Sequence, residues 1–339
     1  MSKRMAHSNI YSLSLQLLMI ASLLFITCAA HAQDLFFNQF QLAPLATNPG
    51  QPGVMQEAQV AINYRNVPVG AGETFNTSQL SAFYPMGFGK HQFVFSGSFY
   101  QERISEFFTT TGATLGAALS IAITEKSELS FGTQATLFGT QIQEDFTTDS
   151  QFINGVFIPT AASGEISNFT SGNAISASSG LYWQLRGDSE VTKAFAGISL
   201  FNFTQPDRAV TEGFADEPSV TYKATLGYEV FRRKGFAIFP SALAISRRGQ
   251  QWLQAGGLLT YDLIQQDQST KQIGFGGWYN TNESVMLSLQ YQQHNLAVAF
   301  SFNLPSGDDL AIARDGVFEI ALNYRISKRK EGLTKAIKE

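Results

Sequence analysis

The chain has 339 residues, a formal net charge of −4, 15% charged residues and 13% aromatics, with 29 Phe and 29 Gly. Charge is well below the roughly one quarter usual in soluble domains, and without a basic surplus nucleic acid is excluded as a partner. Mean hydropathy is near zero, at −0.04, and beyond the N-terminus no apolar run is long enough to span a bilayer as a helix; this combination fits amphipathic strands, whose apolar outer and polar inner faces average out.

Residues 1–32 read as a secretory signal. Lys3 and Arg4 supply the positive start, an apolar stretch runs from Leu15 to Cys28, and Ala30-His31-Ala32 is a small-x-small cleavage site that makes Gln33 the first mature residue. The apolar stretch is short for an anchoring helix. Thr27 is larger than the residue that usually precedes a lipidated cysteine. Cys28 is the only cysteine and leaves with the signal, so the mature chain has no disulfide and no thiolate site.

Residues 33–57 carry Pro44, Pro49, Pro52, Gly50 and Gly53, which do not suit a central strand. Leu35, Phe36, Phe37 and Phe40 make the segment too apolar to dangle in water. It is expected to pack inside a barrel as a partial plug.

Residues 58–326 repeat one theme: about ten residues alternating apolar and polar, then a turn. In the clearest case Val220, Tyr222, Ala224, Leu226, Tyr228 and Val230 share one face, while Thr221, Lys223, Thr225, Gly227 and Glu229 share the other. Val285 to Tyr291, Leu296 to Phe302 and Phe318 to Ile326 repeat it. About 14 segments are expected, near 58–65, 78–85, 91–101, 109–123, 128–142, 173–185, 191–203, 220–231, 236–246, 251–261, 271–279, 284–291, 295–303 and 316–326. Links after even-numbered segments are short and those after odd ones mostly long, with short exceptions near Arg247 and Asn280. An outer-membrane barrel sorts its connections this way, short in the periplasm and long outside; a soluble sandwich does not. The fold class is therefore all-β: a single-domain transmembrane antiparallel β-barrel, embedded in outer-membrane lipid.

Lys223, Glu229, Glu319 and Arg325 fall in the inward phase of their strands. They form either a lumen network that stiffens the barrel or the lining of a polar pore. The longest link, Gln143 to Gly172, follows an odd-numbered segment and should lie outside; its Phe152, Phe157 and Phe169, among Ser, Thr and Gly, suit a protein-binding surface or a cap folded over the mouth. The competing contact is the 33–53 segment, reached from the periplasm. Residues 327–339 form a charged periplasmic tail.

The mature histidines, His91 and His294, lie far apart near short turns. HExxH, GxSxG and clustered metal ligands are absent from the sequence. Gly274-Phe275-Gly276-Gly277 lacks the Lys and helix of a phosphate loop and reads as strand. A non-enzymatic protein without cofactor or metal is expected.

In its motifs the chain resembles the PorP/SprF family of the type IX secretion system. The mature start Gln33-Asp34-Leu35-Phe36-Phe37-Asn38-Gln39-Phe40 is similar to that family's opening, and Pro44-Leu45 and Asn48-Pro49 stand where the family has Pro-Leu and Asn-Pro. Asn63-Tyr64-Arg65-Asn66 resembles its first strand, Gly197 to Asn202 with Gln205-Pro206 a middle strand, and Phe239-Pro240-Ser241-Ala242-Leu243 its Pro-Ser strand. Gly274 to Tyr279 and Phe318 to Arg325, with Tyr324, resemble two later strands. Gly50-Gln51-Pro52-Gly53 and Val67-Pro68 depart from the pattern and place the chain among divergent members. The resemblance implies a barrel that assists export or surface attachment of secreted cargo, such as adhesins, alongside the secretion and gliding machinery. A transport barrel for small or hydrophobic solutes is the alternative.

Overall fold

The computed structural model describes residues 35–68, 74–88, 91–104, 108–142, 152–153, 156–158, 172–187, 191–206, 219–266, 269–281, 284–305 and 316–326. The expected signal with Ala32 and Gln33, the tail 327–339, Phe169 and most of the 143–172 link lie outside the described residues.

The described residues form seventeen strands in chain order: β1 (Ala58–Pro68), β2 (Thr74–Phe88), β3 (His91–Ile104), β4 (Phe108–Thr124), β5 (Ser127–Ile142), β6 (Phe152–Ile153), β7 (Val156–Phe157), β8 (Gly172–Arg186), β9 (Thr192–Phe201), β10 (Thr221–Tyr228), β11 (Phe231–Arg233), β12 (Phe236–Arg247), β13 (Gln250–Gln266), β14 (Ser269–Asn280), β15 (Ser284–Gln293), β16 (Leu296–Pro305) and β17 (Val317–Ile326). β6 and β7 pair only with each other. β10 and β11 pair successive stretches of β12 and count as one wall strand, so the wall has fourteen.

Each wall strand runs antiparallel to its chain neighbours, and β1 pairs with β17 from Ala58↔Ile326 to Asn66↔Phe318. β10 is flanked by β9 and β12. The ladder therefore closes and has no edge, which is what a β structure in hydrocarbon requires, since an unpaired peptide group there costs several kcal/mol.

The alternation read in the sequence sets the two faces. On β10, Thr221, Lys223 and Thr225 are buried toward the lumen while Tyr222, Leu226 and Tyr228 are exposed on the outer surface. The outer surface carries aromatics near both rims: Tyr84, Phe93, Phe236 and Tyr324 toward one, Tyr64, Phe108, Tyr279 and Phe302 toward the other. Such girdles mark the two membrane–water interfaces. Among the described residues, no helix is long and apolar enough to cross a membrane.

Strand ends differ from the alternation mainly where the ladder outlasts it. β2 starts at Thr74, because Thr74 to Thr77 still pair with β1 although their side chains are polar or mixed. β13 runs on to Gln266 past a register shift between Asp262 and Ile264. One mouth collects the links 89–90, 125–126, 187–191, 234–235, 267–268 and 294–295, and the other collects 69–73, 105–107, 143–171, 202–220, 248–249, 281–283 and 306–316. The first is called here the short-turn mouth, the second the long-link mouth. Both chain ends of the wall, Ala58 and Ile326, stand at the short-turn mouth.

Leu226 stands near mid-wall and is 60% exposed on the outer face. Leu226→Arg is expected to lower the free energy of folding into lipid vesicles by about 2–4 kcal/mol, read by urea titration. A loss of a few tenths would mean that this face does not meet hydrocarbon.

Candidate functional site

The lumen holds the segment from Leu35 to Glu57. Prolines divide it into short pieces: a 3-10 turn (Phe40–Leu42), a single α-helical turn that Pro44 starts (Pro44–Thr47), and a second 3-10 turn (Gln51–Val54). These pieces satisfy only some of their peptide groups among themselves, and inward side chains of the wall meet others.

Glu319 takes the backbone N–H of Asn38 at 2.9 Å and of Gln39 at 3.1 Å, one on each carboxylate oxygen. Arg65 stands 3.3 Å from the same carboxylate and donates to the Phe36 carbonyl at 3.1 Å, with its guanidinium 5.2 Å from the Phe36 ring centre. Gln254 donates to the Asn38 carbonyl, Asn63 to Leu42, Gln134 to Leu45, Lys223 to Ala46 and Ser199 to Thr47. Lys223 also lies 4.3 Å from the centre of the Phe201 ring. Asn48 donates to the wall carbonyls of Leu181 (2.9 Å) and Ile198 (3.1 Å) and accepts from the Gly50 N–H. Gln92 reaches the carbonyls of Gly53 and Met55, and Arg186 that of Val54.

The wall is notched to receive this segment. A Cβ on Gly132 would overlap the Pro49 carbonyl, and one on Gly180 would overlap the Asn48 side chain. Glycine in a strand marks such close approach of a second backbone. Apolar contacts complete the seat: Phe40 and Val54 pack with Tyr182, Phe195, Leu243 and Ile245, and Leu45 packs with Ala61, Phe83 and Val94.

Below the plug a cavity of about 1020 Å³ is bounded at the short-turn mouth by Val191, Lys234, Gly235, His294 and Asn295. Its roof is Phe40, Gln41, Gln51 and Val54 from the plug. Its wall includes Tyr182, Phe195 and Phe239, whose rings stack in sequence with centroids 5.8 Å apart. Its rim is charged: Arg232 pairs with Glu229 at 2.7 Å and Asp262 at 3.7 Å, and Arg325 donates to the His294 carbonyl. This vestibule can receive a polypeptide or an amphiphile.

The four inward charges of the sequence divide between two tasks. Lys223 and Glu319 hold the plug; Glu229 and Arg325 line the vestibule. Of the motif residues, Gln39, Pro44, Asn48, Pro49, Asn63 and Arg65 meet at the plug–wall contact. Ser241 accepts from the Trp278 indole on the lumen side, beside Pro240 on β12. Tyr64 and Tyr324 face outward. Phe152 and Phe157 pair across the β6–β7 hairpin, and Phe152 is exposed. Gln254, Gln134, Ser199 and Gln92 carry no sequence signal beyond a polar side chain in the inward phase of a strand, and Arg186 lies just past the expected segment 173–185. Of the 33–53 segment, Phe40, Gln41 and Gln51 line the vestibule at the short-turn mouth, while Phe36, Asn38 and Gln39 are held by Arg65 and Glu319. Among the described residues, no group of three or more His, Cys, Asp or Glu could hold a metal ion.

The sequence profile of the family described as "Type IX secretion system membrane protein PorP/SprF" matches residues 29–324. No curated protein sequence matches the chain. Solved structures similar to it include a FadL homologue of Pseudomonas aeruginosa (11% identity, 83% of this chain and 93% of that one, TM-score 0.44). Others are the Ralstonia pickettii toluene transporter TbuX (11% identity, 88% and 96%, TM-score 0.44) and CdiB from Acinetobacter baumannii (10% identity, 80% of this chain, TM-score 0.42). The chain spans 60% of the length of CdiB.

Two outcomes are expected from this geometry. Glu319→Gln removes the carboxylate that pairs with the buried Arg65 and should cost about 3–5 kcal/mol; hydrogen exchange at the Asn38 and Gln39 amides should rise while the wall stays protected. Equal protection of those amides in the variant and the parent would mean that the carboxylate is not the clamp. Deleting residues 36–54 should raise single-channel conductance in planar bilayers well above that of the full chain, since this segment fills the lumen. Unchanged conductance would mean that another part of the chain seals it.

Proposed function

The chain belongs to the PorP/SprF family of type IX secretion system membrane proteins, and from that premise we propose that it is a non-enzymatic accessory barrel that assists export or surface attachment of cargo proteins such as adhesins. The observation that carries the reading is the family match across nearly the whole mature barrel, on a closed wall whose lumen is occupied by its own chain. A barrel held shut by ion pairs and peptide hydrogen bonds works through its mouths. In this reading the short-turn mouth is periplasmic, and its vestibule, with stacked rings and a charged rim, meets components of the secretion or gliding machinery. The long-link mouth faces the cell surface, and the hairpin that exposes Phe152 is part of the surface that holds cargo. Aromatic side chains suit that task because each buries much area while immobilising few rotatable bonds.

Deleting the gene and profiling secreted and surface proteins tests the role. The expected result is loss of a defined set of cargo from the surface, restored by the full chain. Unchanged cargo display together with altered uptake of small apolar solutes would overturn it in favour of a transport barrel.

A further inference from the structure

The lining of the vestibule is selective in its chemistry. Five half-buried glutamines belong to it: Gln41 and Gln51 in the roof, and Gln184, Gln272 and Gln292 in the wall. Gln51 donates to the Gln41 carbonyl and Gln272 to the Asp262 carboxylate. Among the described residues, the side chains of Gln184 and Gln292 have no hydrogen-bond partner, and neither does the amide nitrogen of Gln41. A side-chain amide offers a carbonyl acceptor and N–H donors, the same groups that a peptide bond presents.

The charges of the lining are unevenly engaged. Glu229 and Asp262 both pair with Arg232. Arg233 and Lys234 line the same cavity, are exposed, and form no ion pair among the described residues. The β11–β12 hairpin fixes their place: Arg233 pairs with Phe236, and Lys234 and Gly235 turn the chain with φ of 50° and 83°. Arg325 on β17 is a further cation of the lining, and Glu57 is its remaining acid among the described residues.

Three kinds of ligand can be weighed against this lining. An acyl chain matches it poorly, because it would bury the glutamine amides against methylenes and leave them unmet. A neutral sugar gains nothing from the cations, and the rings on which it would stack are covered: Tyr182 and Phe195 are 5% and 7% exposed, packed with Phe40 and Val54. A polypeptide matches both features, since its peptide groups meet amides and its acidic side chains meet cations. The volume of about 1020 Å³ stands at the top of the range for small-ligand pockets, about 300–1,000 Å³, and holds a short length of chain.

We propose that the vestibule binds a projecting segment of a partner polypeptide in which acidic residues flank an apolar one. The apolar side chain lies against Phe239 and Leu258, which are half-buried in the cavity wall. The peptide groups meet Gln41, Gln184 and Gln292, and the acidic side chains meet Arg233, Lys234 and Arg325. Because the plug roofs the cavity, the segment docks there and does not pass through. This rests on the reading that the short-turn mouth meets other components of the secretion machinery, and it adds the chemistry by which one of them is recognised.

The test uses the full chain in lipid nanodiscs, its folding confirmed by heat-modified gel mobility. The probe is a short dye-labelled peptide alternating glutamate and leucine, compared with one alternating lysine and leucine by fluorescence anisotropy. The acidic peptide is expected to bind saturably, and the basic one about tenfold more weakly or worse. Arg233→Glu combined with Lys234→Glu should reverse that order, and Gln184→Leu with Gln292→Leu should weaken the acidic peptide about tenfold. A benzophenone in place of its central leucine should crosslink to the strands that carry Phe239 and Leu258. Absence of saturable binding, equal binding of the two peptides, or crosslinks confined to other parts of the chain overturn the proposal. So does displacement of the acidic peptide by octanoate or chitotetraose as readily as by its own unlabelled form, which would make the vestibule an acyl or a sugar site. Should the charge-reversed chain fail to fold, rising salt replaces it: binding of the acidic peptide to the parent must weaken, and salt-independent binding overturns the proposal. Failure here leaves the secretion role standing, because that role is read from cargo profiles; unchanged cargo profiles would remove the role and leave the peptide site.

Discussion

An irregular stretch of polypeptide can sit inside a membrane barrel only if its peptide groups find partners there. That requirement organises this molecule more than any single contact. Residues 35–57 contain only one helical turn and two 3-10 turns, so many of their C=O groups, and the N–H groups of Asn38 and Gln39, are met by the wall. The wall answers with Glu319 for two adjacent N–H groups and with Gln254, Asn63, Gln134, Lys223 and Ser199 for successive carbonyls. The charged partners do the work that neutral ones would do less strongly, because hydrogen bonds to ionised groups are roughly twice as strong. A carboxylate buried at this depth is tolerable because Arg65 and two peptide N–H groups surround it; alone it would be expelled or neutralised.

The same requirement shapes the wall. A closed strand ladder offers no spare backbone groups in its plane, yet Asn48 reaches two wall carbonyls by lying flat where Gly180 leaves room. Gly132 does the same for the turn at Pro49. The plug and the notch are therefore one device: a side chain at either glycine would push Asn48 and Pro49 off the wall, and the Leu181 and Ile198 carbonyls would lose the Asn48 amide together. This explains why the Asn48-Pro49 motif, unremarkable as a loop dipeptide, is buried against the wall.

Much of the barrel was legible in the sequence, because a strand in a membrane wall has a period of two and a sharply different solvent on each side. The alternation around Tyr222 to Tyr228 fixes face and register at once, and the expected segments differ from β1 to β17 mainly at ends such as Thr74 and Gln266, where pairing persists without alternation. The plug was legible only in kind. Its prolines and aromatics said that it is neither strand nor solvated tail, but not where it goes. Its path is set by pairs such as Asn38 with Glu319 and Ala46 with Lys223, 281 and 177 residues apart. Inward phase marks Lys223 and Glu319 as lumen residues; nothing local in the sequence says which peptide group each will meet. Gln134 and Gln254 were harder still, since an amide in the inward phase is the ordinary lining of any barrel.

Those long-range pairs also separate two ways in which such a barrel could work. To pass a solute, residues 35–57 would have to leave, and each wall group now bound to the plug would need water in its place. Water can replace the partner of Gln254 or Ser199 at little cost, because a bridging water is nearly as good as a direct hydrogen bond. It replaces the apolar seat poorly: Phe40 and Val54 would leave a cluster that includes Phe195 and Leu243, and Leu45 a second one that includes Val94, and their burial is what hydration would undo. The plug is thus held by polar bonds that give it one position and by apolar contacts that keep it in place. A segment held in both ways acts as part of the wall, and the surfaces left for function are the vestibule under it and the two mouths.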